Sequence, residues 1–254
     1  MKRLTILITL FLTVLGSLQS SASAGEIPSH RLWDELVKAN VSKKGIVDYE
    51  GFIKEKEKLQ QYLDLLSQNP PDKKVWSKEE QLAYWINAYN AFTVKLIIDH
   101  YPVKSIKDLA PVNIPYVSTV WHMKFFKIGG KDSSLDEIEH KILRKQFEEP
   151  RIHFAVNCAS KSCPILRNES YEAAKIDKQL DEQTRLFLSD ESRNKIAKDQ
   201  VMVSKIFSWF KKDFSKSGGV ITFIDKHTKT SVSKSAKVSF LPYDWTLNNE
   251  PIEQ

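Results

Sequence analysis

Features that would mark a metal centre or a membrane protein are scarce in this chain. It has only two cysteines in 254 residues, and neither a CxxC nor an HExxH spacing supplies a ready zinc motif. Beyond the first eighteen residues no stretch is apolar and long enough to span a bilayer, and no internal repeat is present. No single sign of charge dominates. Lys and Arg are interspersed with Asp and Glu, as in KEEQ and KIDKQLDEQ, which is the pattern of solvated helix faces and not of a phosphate-binding stripe. Nucleic acid is therefore not the expected partner.

The chain opens MKRLTILITLFLTVLGSLQSSASAGE: two basic residues, an apolar run from Leu4 to Leu18 broken by threonines, then Ala22-Ser23-Ala24 as a small-residue cleavage site. That order is a secretory signal peptide over residues 1–24. No cysteine follows it that could carry a lipid. Its removal takes away Lys2 and Arg3 and no acid, so the formal charge falls from +6 to +4. The mature chain, 25–254, is expected outside the cytosol, secreted or in a bacterial periplasm where thiols can be oxidised, and its length suits one sizeable core.

Periodicity lays out a helix in HRLWDELVKANVS, a second over about 49–66, and a third that is apolar nearly all round, opened by the capping box Ser77-Lys-Glu-Glu80 and closed by Pro102. HMKFFKIGGKDSSL reads as strand, Gly129-Gly130 turn and return strand, and Ser134-Leu-Asp-Glu137 as a capping box for DEIEHKILRKQF. RIHFAVN alternates as a strand, EAAKIDKQLDEQTRLFL is an amphipathic helix, and QVMVS leads into KIFSWFKKDF capped by Ser204. SGGVITFID and SAKVSFLPYDWTLN are expected to be extended. Helices outnumber strands without regular alternation, so the fold class is α+β: one helix-rich domain with a small, mostly antiparallel sheet.

Several polar groups fall in apolar places. On a helical projection Glu139 lies inside the arc of Leu135, Ile138, Ile142 and Leu143, flanked by His140 and Arg144. A carboxylate facing the core needs a partner, as in a structural ion pair, or a chemical job. Asn87 and Asn90 share a buried face of the long helix, where they either satisfy backbone or orient an imidazole or an oxyanion. In RIHFAVNC the alternation sets Cys158 at a strand end with His153 and Asn157 on the opposite face, and Lys161 nearby would favour a thiolate. A short Cys158–Cys163 disulfide is the alternative. His100 and His227 are expected at the surface, and nothing near His122 suggests a role.

LAYWINAYNAFTVKLIIDHYP, SLDEIEHKILR, RIHFAVNCASKSCPIL, FSWFKKDF and YDWTLN together resemble the domain-of-unknown-function 547 family (DUF547), from about Val47 to Asn248. The resemblance brings no assigned reaction. Its motif residues fall on Asn87, Asn90, Glu139, His140, Arg144, His153, Cys158 and Cys163, and that inventory suggests an analogy with papain-like or transglutaminase-like cysteine hydrolases.

As chemistry, the inventory is a kit for nucleophilic catalysis through cysteine, with Cys158 as nucleophile, His140 as base and Glu139 beside it, acting on a small-molecule or peptide substrate without a cofactor. His153 is the competing base, but an extended strand would point it away from Cys158. Two other classes stay open. One is a non-catalytic binding module with Cys158 and Cys163 bonded. The other is a zinc site built from Glu139, His140, His153 and Cys158.

Overall fold

The structure, a computed structural model, describes residues 26–110 and 119–250. The expected leader over 1–24 and part of the loop rich in Pro and Val lie outside the described residues. Helix α1 (Arg31–Asn40) buries Trp33, Leu36 and Val37 as its spacing requires. The helix expected over 49–66 is two, α2 (Tyr49–Lys54) and α3 (Lys56–Gln68), broken at Glu55. Helix α4 (Lys78–Ile98) begins with the capping box, Ser77 accepting from the Glu80 amide at 3.1 Å and Glu80 from the Ser77 amide at 2.7 Å. Nearly every residue of α4 from Gln81 onward is buried, because α2, α3, α6 and a π-wound segment pack around it. Among the described residues no helix is long and apolar enough to cross a membrane.

Strands are few. β1 (Phe126–Ile128) and β2 (Lys131–Ser133) form the expected hairpin, with Gly129 and Gly130 at φ +58° and +74°, the left-handed pair a two-residue turn demands. A second sheet has the order β3 (Lys195–Ile196), β4 (Gln200–Val203), β5 (Lys237–Phe240), antiparallel then parallel. The fold is thus helix-rich α+β with small sheets that are mostly antiparallel.

Two segments differ from the sequence reading. RIHFAVN is not a strand: Pro150–Phe154 is a 3₁₀ turn, started by Pro150 at its first position and by Glu149, whose carboxylate accepts from the Arg151 amide at 3.0 Å. Ile152, His153 and Phe154 are all buried, so the period-two pattern marked depth and not a pleat. VITFID is not extended either. After α7 (Ile206–Trp209) and α8 (Lys211–Ser215), Gly218 and Gly219 at φ +84° and +93° reverse the chain into α9 (Val220–His227). There Phe223 and Ile224 pack on Phe207 and Phe214, and packing overrides the strand preference of a β-branched run.

The buried apolar residues form two cores. The larger is built on α1 to α4; the smaller gathers Phe154, Val201, Val203, Phe207, Phe214 and Phe223. Helix α6 (Ile176–Leu188) joins them, giving Ile176 and Leu180 to the first and Phe187 and Leu188 to the second.

Candidate functional site

A cavity of about 210 Å³ is lined by side chains of both cores. Four stretches supply its chemistry: Asp136, Glu139 and His140; His153, Cys158 and Cys163; Trp209 and Phe210; and Tyr243 and Trp245 of the C-terminal stretch. Glu139 and His140 sit on a π-wound segment, Glu137–Leu143, where the Arg144 amide reaches back five residues to the Glu139 carbonyl. The wider turn reduces the divergence of about 100° between neighbours on an α-helix, so both line the cavity.

Glu139 is buried, as its place on the apolar arc requires, and accepts from Tyr89 Oη at 3.3 Å. Burial first, and the charge of Cys158 second, raise its carboxyl to about 7 against the opposing pull of Arg144 and Tyr89. It is therefore an acid that loses its proton near neutrality.

His140 does not have the geometry expected of a base for Cys158. Arg144 Nη1 donates to its Nδ1 at 2.5 Å, and a guanidinium can only donate, so the proton of the neutral ring is on Nε2, 3.7 Å from Asp136. Burial lowers its pKa, and so does Arg144, against Asp136 and Asp213. His140 is thus a donor, and its free acceptor is already used. Arg144 in turn forks onto both oxygens of Asp213, at 2.9 Å to Oδ1, and lies over the Phe210 ring.

His153 shares that aspartate, with Nε2 2.8 Å from Asp213 Oδ2 and its ring stacked on Phe210 at 3.9 Å between centroids. The 3₁₀ turn, not a strand, brings it to the same cavity as Cys158. Burial, with help from the charges of Arg144 and His140, lowers its pKa against the pull of Asp213, and its Nδ1 is buried without a partner among the described residues. Burial alone would raise the Asp213 carboxyl, but the hydrogen bonds from His153 and Arg144 outweigh it and hold Asp213 far below the usual range.

Cys158 is half-buried between buried neighbours, and its Sγ lies 2.9 Å from Cys163 Sγ, 3.3 Å from Ser160 Oγ and 3.3 Å from Tyr243 Oη. Both cysteines are free thiols. The hydrogen bond with Cys163 is the main cause that lowers the Cys158 pKa, overcoming burial with help from Ser160 and Tyr243; burial raises that of Cys163. The more open sulfur is therefore the one that ionises: in the thiol form Cys158 donates to Cys163 Sγ, and in the thiolate form the hydrogen bond from Cys163 favours the charge. Lys161 takes no part, since its ammonium faces Glu250 at 3.9 Å and does not line the cavity.

The two amides of the long helix satisfy backbone. Asn87 exchanges bonds of 2.8 and 2.9 Å with the Tyr171 backbone. Asn90 donates to the Ala155 carbonyl at 3.0 Å and accepts from the Asn157 amide at 2.8 Å, which fixes the chain just before Cys158. Asn157 then accepts from the Ala159 amide, and Ala159 has the left-handed φ of +58°. On the other side the C-terminal stretch pairs with the loop, Lys161 N to Thr246 O at 2.8 Å and Asp244 N to Ser162 Oγ at 2.8 Å, and so delivers Tyr243 and Trp245.

Among the described residues no group of three or more His, Cys, Asp or Glu is placed to hold a metal. Of the zinc set, His140 Nδ1 is taken by Arg144 and His153 Nε2 by Asp213. His227 is buried, not superficial, with Nδ1 on the Phe223 carbonyl at 2.8 Å, and it lies away from the cavity. His122 does line the cavity, 3.5 Å from Asp136. The sequence reading did not single out Asp213, Tyr243, Ser160 or Asp136. Their only signals were the acid inside FKKDF and the aromatic cluster of YDW.

Residues 73–188 match the family model described as "Protein of unknown function, DUF547", so this part of the chain is similar to that family. The match takes in Asn87, Asn90, Glu139, His140, Arg144, His153 and both cysteines; Asp213, Tyr243 and Trp245 lie beyond it. No curated protein and no solved structure matches the chain.

Proposed function

We propose that this protein is a cysteine-dependent hydrolase or acyl transferase with Cys158 as its nucleophile. The observation that carries this reading is the Cys158 sulfur itself, open to a cavity, within hydrogen-bond reach of a thiol and two hydroxyls, and beside a carboxyl that ionises near neutrality. Glu139 takes the thiol proton, directly or through water, and returns it to the leaving group once the thiolate has attacked an acyl carbonyl and formed a thioester. Water or a second nucleophile then resolves the thioester. The His140 Nε2–H and the Tyr243 hydroxyl are donors available to the oxyanion. His153, held by Asp213, keeps an unprotonated Nδ1 that is buried and unpartnered among the described residues, and its ring packs the wall behind the thiol. The likeness to papain or transglutaminase is one of residue types. The basic, apolar and small-residue order of 1–24 supports export, and an intact mass beginning at Gly25 tests it.

The reaction class is tested first at the thiol. Iodoacetamide should label Cys158 with an inflection below the ordinary thiol value of about 8.5, and Cys158→Ser should remove that label. A second reading has its own observation, the 2.9 Å between the two sulfurs, close enough to bond in an oxidising compartment. If native protein has no free thiol and a mass two hydrogens short, with labelling only after denaturing reduction, the chain is a binding module and the catalytic reading falls.

A further inference from the structure

The charge lining the cavity is opposite in character to that of the protein. The chain carries 38 Lys and Arg and a formal charge of +6, yet among the described residues no Lys or Arg lines the cavity. The Arg144 guanidinium, bonded to His140 behind the cavity wall, is forked onto Asp213 and lies over Phe210, and Arg193 is turned to the backbone carbonyls of Cys163 and Lys161. Two carboxyls, Asp136 and Glu139, do line it. Among the described residues Asp136 is approached by His122 at 3.5 Å and His140 at 3.7 Å, both long, which leaves its oxygens open to a better donor.

Beside them stands a continuous aromatic wall. Trp245 has its ring centroid 5.5 Å from Trp121, 5.8 Å from Trp209 and 4.6 Å from Tyr243, at interplanar angles of 62°, 25° and 48°. Trp209 is 47 % exposed, so the wall is open to solvent. Faces of Trp and Tyr present negative charge density, and a cluster of them next to a carboxylate is the arrangement that receives a desolvated cation. The chain uses Trp245 this way once already, with the Lys107 ammonium 5.3 Å from its centroid outside the cavity wall. Among the described residues a phosphate or carboxylate would find no Lys or Arg on this wall, only imidazoles already beside Asp136 and Asp213.

We infer that the aromatic wall and Asp136 form a subsite for an ammonium group, primary or quaternary, so that the compound presented to Cys158 is a cationic amine. Binding of the cation stands on the cavity alone; its place in a substrate rests on the thiol chemistry proposed above.

Charge-selective alkylation of the full-length protein tests this. The rates of 2-bromoethylammonium, iodoacetamide and iodoacetate at Cys158 are each divided by the rate with a small free thiol at the same pH. The cationic reagent should be favoured about tenfold over the neutral one, iodoacetate should be disfavoured, and Asp136→Asn or Trp245→Ala should bring the ratios towards one. Tetramethylammonium should also quench tryptophan fluorescence saturably and protect Cys158 from iodoacetamide, while its neutral isostere neopentane-like alcohol, tert-butanol, and sodium chloride at equal concentration should not. Equal protection by tert-butanol, or normalised rates independent of reagent charge, would overturn the ammonium subsite and leave an apolar one. If Cys158 reacts with none of the reagents, the catalytic reading fails, and the fluorescence titration still decides the subsite.

Discussion

Two sets of buried polar side chains meet at Cys158 and are treated in opposite ways. Asn87, Asn90, Asn157 and Asn248 lie in or against the larger core, and each has its polar atoms placed on backbone or on another side chain at ordinary distances. Glu139, His153 and Cys158, which line one cavity, keep a raised carboxyl, an unpartnered ring nitrogen and a lowered thiol. The first set satisfies what burial demands, and the second leaves capacity unspent. Burial alone therefore does not separate scaffold from chemistry; the distinction is whether donors and acceptors are already used.

The contrast breaks hardest at Asn90. Asn90→Ala strands the Ala155 carbonyl and the Asn157 amide in the core, and each unpaired group costs roughly 1–3 kcal/mol, so a loss of about 2–6 kcal/mol in denaturant unfolding is expected. Asn87→Ala strands the Tyr171 backbone pair and should cost a similar amount. The two differ at the thiol: Asn90→Ala should also slow Cys158 alkylation, and Asn87→Ala should leave it alone. Equal slowing by both would mean that Asn90 does not position the Cys158 loop.

Glu139→Gln keeps the shape and the contact with Tyr89 and removes the charge. The folded pKa of Glu139, about 7, lies above the ordinary carboxyl value, so the folded state holds the proton more tightly. Its contribution is therefore present in acid and is lost as pH rises from the unfolded pKa of about 4.5 through about 7, a span worth on the order of 3 kcal/mol. The stability advantage of the Gln variant should grow across that window and level off above it. The Cys158 thiol should also ionise more readily in this variant, because a neighbouring negative charge is gone. A difference independent of pH would show that Glu139 has the same pKa folded and unfolded, so that burial does not raise its carboxyl and it belongs with the satisfied groups.

Sequence periodicity carried the interior of the elements and failed where tertiary geometry changes the local winding. The α4 capping box, the Gly129-Gly130 hairpin and the burial of Glu139 were legible because each follows from neighbours within about one helical turn or a two-residue loop. The His153 turn was read as a strand because Ile152, Phe154 and Val156 alternate, and nothing local reveals that His153 between them is buried as well. His140 was read as a base because its type allowed it. Its tautomer is set by Arg144, four residues on, and Arg144 by Asp213, which is distant in sequence and has no periodicity of its own. Tyr243 lies 85 residues from Cys158, and no short-range pattern links the two.

The smallest expected effect discriminates among the donors around the sulfur. Three groups surround it, and the Cys163 thiol contributes the most to the lowered Cys158 pKa, ahead of the hydroxyls of Ser160 and Tyr243 at 3.3 Å. Tyr243→Phe removes one long hydrogen bond and leaves the ring against Trp209 and Trp245, so the inflection of the alkylation profile should rise by less than about one pH unit. Cys163→Ala removes the principal donor and should raise it further, with the mass of the labelled peptide confirming that Cys158 is still the site. If Tyr243→Phe shifts the inflection more than Cys163→Ala, the hydroxyl and not the second thiol is what activates Cys158, and Cys163 is then a neighbour kept for packing.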